Sequence, residues 1–340
     1  MALNHALILA PFAAVEAARL SAVMQVTVES WLQTSRLYDP DELAERIQRD
    51  SITHLVIEAD FLFTETMERT PTLRLVGICR NAFNQVDVDA AGQLGILVVN
   101  TPGRNALAVA ELTIGMLLSL ARRIPSAHRY VQGGQWQDPT GAYESFRGTE
   151  LAGKTAGIVG FGAIGRLVAS RLIALDMRIL AFDPYAEAAV AAAHFTPVPL
   201  ERLLDQSDYV LIHAPSLPST MGMIGREQLA RMKPSAYLVN TSAPGVCDEA
   251  ALIDALSARR IAGAALDVFD GQPLPQSSKL LSLDNVLLTP HVGGATVETI
   301  ERYSQMIVDD IICAEAGATP RHLVDPAAWE KRRLPESAGR

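Results

Sequence analysis

Residues 156–165 read Ala156-Gly157-Ile158-Val159-Gly160-Phe161-Gly162-Ala163-Ile164-Gly165. Gly160, Gly162 and Gly165 spell G-x-G-x-x-G, a spacing that glycine triplets also reach by chance, so the neighbours decide its meaning. Residues 155–159 are a short apolar run suited to a buried parallel strand. Residues 166–175 carry Leu167, Val168, Leu172 and Leu175 at helical spacing, and 178–182 read as a second strand that ends on Asp183. Strand, glycine turn, helix and strand is the order of a dinucleotide-binding unit. Gly160 permits the tight turn. Gly162 lets the backbone approach a pyrophosphate at the helix start, where Ala163 and Ile164 follow, and Gly165 lets the helix pack closely on its strand. The helix N-terminus turns its positive dipole end to the phosphates. Asp183, about 20 residues beyond the glycines, can bind both ribose hydroxyls and would repel a 2′-phosphate. Pro184 and Tyr185 offer no cation to receive one, so the cofactor expected is NAD rather than NADP. The competing reading is an α/β crossover that binds nothing.

At 340 residues the chain can hold two domains, each with its own core. It is 49% hydrophobic and 20% charged, with a mean hydropathy of +0.16, a globular composition. A net charge of −9 argues against nucleic acid or an anionic membrane surface as the main partner. Cys79, Cys247 and Cys313 are far apart and have neither zinc spacing nor a C-x-x-C pair, so no metal site is expected, only free thiols in a reducing compartment. The first residues carry no basic and apolar leader, and no apolar run reaches the ~20 residues that cross a bilayer. The expected location is the cytoplasm.

Strand-like runs at 5–10, 25–29, 54–58, 73–79 and 96–100 alternate with helical segments at 13–23, 64–69 and 87–93. Asp39-Pro40-Asp41-Glu42 opens another helix, reaching about Arg49, with Asp39 as N-cap. Such alternation implies a parallel sheet covered on both faces. Thr101-Pro102-Gly103 punctuates the chain. Residues 105–131 read as one long helix, apolar nearly all round, which fits either a subunit interface or burial between two domains. Asp138-Pro139-Thr140-Gly141 reads as loop. Beyond Asp183, helices at 188–193, 200–206 and 248–258 alternate with strands at 209–213, 237–241, 262–267 and 285–289. Residues 297–316 form a last helix, and the stretch after Pro320 reads as a partly ordered extension. Ligands of open α/β sheets bind outside the carboxyl ends of the strands. That rule places residues 80–83, Asn105, 213–215, 241–245, Asp267 and His291 near one cleft.

Several blocks together resemble the D-isomer-specific 2-hydroxyacid dehydrogenase family: Gly95 to Gly103, Ala108 to Gly115, Gly153 to Gly162, Gly263-Ala-Ala-Leu-Asp-Val-Phe269 and Thr289-Pro-His-Val-Gly-Gly294. The resemblance spans roughly residues 70–320. It implies two Rossmann-like, doubly wound α/β domains, with the NAD domain (102–294) inserted into a discontinuous flavodoxin-like substrate domain (1–101 with 295–325), followed by a tail (326–340). It also implies a homodimer built on the 105–131 helix and a small, anionic substrate. His291 matches the family's catalytic histidine, the general acid in reduction and the base in oxidation. An imidazole can give up a proton in one direction and take it up in the other. Asn105 matches a substrate-loop asparagine, Asp267 the residue that binds the nicotinamide carboxamide, and His213, Ala214 and Pro215 a loop lining the cofactor. Thr241 stands in a matching cofactor-side block, and Gly293 and Gly294 lie near the nicotinamide.

Three positions depart from the pattern. The family's Asn-Thr-Ala-Arg-Gly block aligns with Asn240-Thr241-Ser242-Ala243-Pro244, so Ala243 replaces an arginine that clamps the substrate carboxylate by charge-assisted bonds worth about 1.5–3 kcal/mol each. Gln272, before Pro273, replaces a catalytic glutamate; it can orient His291 but carries no charge for an imidazolium. The family's glycine-rich substrate loop reads Arg80-Asn81-Ala82-Phe83-Asn84-Gln85, which suggests that Arg80 supplies the missing cation, with Asn81 and Ala82 beside it. Three functions are compatible: an NAD-dependent oxidoreductase of a small 2-hydroxy or 2-oxo acid, a formate-like dehydrogenase using a His291–Gln272 pair, or an NAD(H)-binding sensor or non-redox protein without dehydrogenase activity.

Overall fold

A computed structural model describes residues 4–185 and 195–333. The helix expected at 188–193 and the last residues of the chain lie outside them. Two compact units emerge, Met1–Arg104 with Thr296–Arg340 and Asn105–Ala295.

The first unit holds β1 (His5–Ile8), β2 (Gln25–Val28), β3 (His54–Ile57), β4 (Leu75–Ile78) and β5 (Leu97–Asn100), all parallel, in the order β2-β1-β3-β4-β5. This is the flavodoxin-like order. Residues of β1, β3 and β4 are buried on both faces, which is why those segments read as unbroken apolar runs. The helix Pro40–Arg49 starts as its sequence spells: Asp39 Oδ1 accepts from Asp41 N at 2.9 Å, and Pro40 takes a position whose N–H would have no partner. The last long helix, Val297–Glu315, belongs to this unit. Tyr303, Ile307, Val308 and Ile311 are buried with Ala6, Ile8, Val56 and Leu75. The segment expected to be a partly ordered extension is packed as far as it is described. Helix Ala328–Lys331 buries Ala328, and the Arg333 guanidinium donates to the carbonyls of Thr70 and Leu73 at 2.9 and 2.8 Å.

The second unit holds β6 (Thr155–Val159), β7 (Arg178–Phe182), β8 (Thr196–Pro197), β9 (Tyr209–Ile212), β10 (Tyr237–Asn240), β11 (Gly263–Leu266) and β12 (Val286–Leu288). They are parallel, in the order β12-β11-β10-β9-β6-β7-β8. Strand order reverses between β6 and β9, as in Rossmann sheets, so the glycine turn after β6 stands at the switch point where such sheets bind ligands.

The single helix expected at 105–131 is two. Ala106–Ala121 ends at Arg122; Arg123 adopts a left-handed conformation (φ 54°), and Ile124–Gln132 starts afresh. Pro125 explains the break, because it lacks the N–H that a continuous helix needs there and constrains the residue before it. The supposed loop at Asp138 is a helix start as well. The Asp138 carboxylate caps Pro139–Ser145, accepting from Thr140 N and Gly141 N at 3.0 Å each. No helix among the described residues is long and apolar enough to cross a membrane.

Candidate active site

The glycine turn has three different environments. Gly160 sits at φ +93°, and a Cβ there would lie 2.5 Å from Ala214 N. A Cβ on Gly165 would lie 2.3 Å from the Gly160 carbonyl, so helix and strand approach as closely as backbone allows. A Cβ on Gly162 would meet nothing within 4 Å, and Gly162 begins the helix Ala163–Ile173 with no side-chain cap on the first N–H groups. Open space over uncapped N–H groups at a helix N-terminus is what a pyrophosphate requires. Asp183 closes the turn from the end of β7: Oδ2 accepts from Phe161 N at 2.8 Å and Oδ1 from Tyr185 N at 2.9 Å. Each carboxylate oxygen keeps a lone pair, so the residues present fit a dinucleotide with free ribose hydroxyls.

Across the switch point, His213 N donates to Val159 O at 2.7 Å. The His213 ring is buried, neither of its nitrogens has a partner among the described residues, and burial lowers its pKa to about 4. It is therefore a neutral imidazole at physiological pH. The neighbouring loops are tied together: Ser242 Oγ donates to Ala214 O at 2.7 Å, Thr220 Oγ1 to Pro215 O at 2.6 Å, and Thr241 Oγ1 lies 2.7 Å from Thr113 Oγ1. Ala243 packs at the margin of the core.

The turn after β12 is organised by a group whose part in it sequence reasoning missed. Asp267, 1% exposed at the end of β11, accepts from Thr289 Oγ1 (2.5 Å) and Val292 N (2.9 Å) through Oδ1, and from Gly293 N (2.8 Å) through Oδ2. These bonds frame His291, a non-glycine residue held at φ 54°. The Thr289-Pro290-His291 order was the available signal, a hydroxyl two residues before the histidine. His291 Nδ1 lies 2.7 Å from Gln272 Oε1, while Gln272 Nε2 donates to Phe269 O at 3.1 Å. The second bond sets the sense of the amide, so its oxygen faces the ring and Nδ1 carries the proton. His291 Nε2 is left as the lone-pair nitrogen. Asn105 begins the helix Ala106–Ala121, and Gly294 packs on it: a Cβ there would be 3.0 Å from Asn105 Nδ2.

Arg80, Asn81 and Ala82 belong to the first unit. They lie exposed at the carboxyl end of β4, with Arg80 O accepting from Thr101 N and Asn81 O from Asn100 Nδ2. Arg104, by contrast, is committed to Glu58 at 3.0 Å and to the Tyr303 ring.

Residues 114–293 match the family described as D-isomer specific 2-hydroxyacid dehydrogenase, NAD binding domain. The chain is 38% identical over 298 residues to glyoxylate reductase of Thermofilum pendens, covering 86% of this chain and 87% of that one. It is 38% identical over 262 residues to D-3-phosphoglycerate dehydrogenase of Archaeoglobus fulgidus, covering 77% of this chain and 49% of that longer protein. The crystal structure of the TT0316 protein from Thermus thermophilus superposes with a TM-score of 0.84 at 32% identity, covering 94% of this chain and all of that one. A Rossmann sheet whose glycine turn fits NAD, and relatives that share most of this chain's length, lead to one conclusion: the chain belongs to the D-isomer-specific 2-hydroxyacid dehydrogenases, NAD-dependent oxidoreductases acting on the CH–OH group of small acids.

Proposed function

We propose that this enzyme moves a hydride between nicotinamide and a small 2-hydroxy or 2-oxo acid, using His291 as acid–base group and Gln272 as the residue that orients it. The observation that carries this reading is the 2.7 Å bond between His291 Nδ1 and Gln272 Oε1, which leaves Nε2 free to exchange a proton. Bound NAD supplies the hydride acceptor or donor. In oxidation, Nε2 removes the hydroxyl proton as the carbonyl forms; in reduction, the protonated ring returns it to the carbonyl oxygen. Asp267 holds the turn that carries the ring. Gly160, Gly162, Ala163, Ile164, Gly165, Asp183, His213, Ala214, Pro215, Thr241, Gly293 and Gly294 hold the cofactor. Following NADH absorbance with a panel of 2-oxo acids tests the reaction. Turnover with formate and NAD alone would instead support a formate-like oxidation, which the uncharged Gln272 favours. NADH binding without any turnover would make the protein a sensor.

Gln272 accepts from Nδ1–H but adds no negative charge. A Gln272→Glu variant places a carboxylate there, which favours the charged imidazolium. The limb of the pH–rate profile that reports His291 is expected to move to higher pH. An unmoved profile would mean that another group titrates.

Ala243 brings no cation to the substrate. We assign the carboxylate to Arg80, with Asn81, Ala82 and Asn105 as further substrate-binding residues. Arg80→Ala is expected to lower kcat/KM by about 10–150-fold, mainly through KM, the equivalent of a charge-assisted hydrogen bond of about 1.5–3 kcal/mol. An unchanged kcat/KM would end this assignment.

We further propose a homodimer through the two helices Ala106–Ala121 and Ile124–Gln132 and the segment after them. There Ile124 (51%), Val131 (54%), Trp136 (58%) and Tyr143 (73%) are exposed, an apolar surface suited to a second copy. The free state of all three cysteines supports a cytoplasmic location.

A further inference from the structure

The carboxyl end of the five-stranded sheet bears exposed aromatic rings on a firmly anchored backbone. After β3 the chain runs Glu58-Ala59-Asp60-Phe61-Leu62-Phe63, and after β4 it runs Cys79 to Gln85. The two segments are joined: Leu62 N donates to Gln85 O at 2.9 Å, Asp87 N donates to Leu62 O at 3.3 Å, and Leu62 pairs with Val86 as an isolated bridge. Asp60 Oδ1 accepts from Tyr38 N at 3.0 Å, and Thr64 Oγ1 donates to Asp87 Oδ2 at 2.7 Å. Leu62 is fully buried and pins the segment from within. Phe61 (49% exposed) and Phe63 (44%) flank it and stack with centroids 5.6 Å apart. Phe83 (43%) stands on the joined segment, three residues beyond Arg80. Of the chain's nine phenylalanines, these three are the exposed ones.

The charges on this loop pair are mostly spent. Glu58 is paired with Arg104, and Asp60 is 2% exposed. Asn81, Ala82 and Asn84 are neutral, so the free charge on these two joined segments, among the described residues, is the Arg80 guanidinium. One cation meets one carboxylate. A phosphorylated acid brings up to two further negative charges, for which this edge offers phenyl rings. A small acid such as glyoxylate or pyruvate would leave the rings in water. A carboxylate with a large apolar group would cover them.

We infer that this edge selects 2-oxo and 2-hydroxy acids whose side chain is apolar and of aromatic size. Arg80 takes the carboxylate, and the Phe61–Phe63 pair, with Phe83, takes the side chain. The inference rests on the hydroxy-acid reading above and names its substrate class.

The test compares NADH-linked reduction of three 2-oxo acids bearing a methyl, a benzyl or a phosphooxymethyl group. The benzyl acid is expected to exceed the other two in kcat/KM by about tenfold or more, the scale of hydrophobic-pocket discrimination. In the double variant Phe61→Ala/Phe63→Ala, checked for native Tm and NADH affinity, the benzyl-to-methyl ratio should fall by about tenfold. Preference for the methyl or phosphorylated acid, or an equal loss for both unphosphorylated acids, would overturn the inference. So would a change in sedimentation of the double variant, which would make the rings a contact between copies. If none of the three acids is reduced, the reaction reading falls, and binding decides the inference. Calorimetric titration of the NADH-loaded protein with 3-phenylpropionate should then show binding that the double variant loses; absence of binding would overturn it.

Discussion

His291→Asn is expected to lower kcat by about 10²–10⁴, the usual contribution of a positioned acid–base group, while NADH affinity stays at its native value. Asparagine is the informative replacement because of the backbone. His291 sits at φ 54°, a region that asparagine enters far more readily than alanine or leucine. The variant can therefore keep the turn that Asp267 holds through Thr289 Oγ1, Val292 N and Gly293 N. The imidazole and its free Nε2 are removed, and little else. Stopped-flow measurement of the hydride step, beside fluorescence titration of NADH, separates chemistry from binding. A kcat within tenfold of native would remove His291 from the mechanism.

Two substitutions in the glycine turn should have different consequences. Gly162 has φ −72°, ordinary for any residue, and open space where its Cβ would be. Gly162→Leu is expected to change stability by no more than about 0.5 kcal/mol. NADH affinity should fall by about a hundredfold or more, roughly 2.7 kcal/mol, because the side chain fills the space a pyrophosphate needs. Gly160→Ala should instead cost stability. Its backbone is at φ +93° and its new methyl lies 2.5 Å from Ala214 N. Left-handed strain of about 1–2 kcal/mol and overpacking of about 1–3 kcal/mol predict a loss of roughly 2–5 kcal/mol in denaturant titration. If Gly162→Leu bound NADH normally, the turn would not be the pyrophosphate site.

The sequence made the sheets legible because buried parallel strands leave unbroken apolar runs. Thr155–Val159 and Arg178–Phe182 match their predicted limits residue for residue. The cap at Asp39 could be read because the aspartate directly precedes proline at a helix start. An equivalent signal at Asp138-Pro139 reads as loop because Gly141 follows it, although the aspartate caps a helix there. The break at Arg123 was hidden by apolar periodicity that continues through Pro125. In the site, glycine spacing and His291 could be read locally. The threefold bonding of Asp267 and the carbonyl of Phe269 that turns Gln272 could not, because they depend on residues 22–26 positions apart, or on a backbone group with no side-chain identity.

The helix Val297–Glu315 has a consequence for synthesis. Its Tyr303, Ile307, Val308 and Ile311 fill the same core as Ala6, Ile8, Val56 and Leu75. On the ribosome, where domains usually mature in the order in which they emerge, the first hundred residues must wait with that apolar surface uncovered. The continuous segment Asn105–Ala295 can meanwhile complete its own sheet. Of the two units, the one whose synthesis starts earlier is thus finished later, and the nascent protein is most dependent on holding factors just before the helix Val297–Glu315 leaves the exit tunnel.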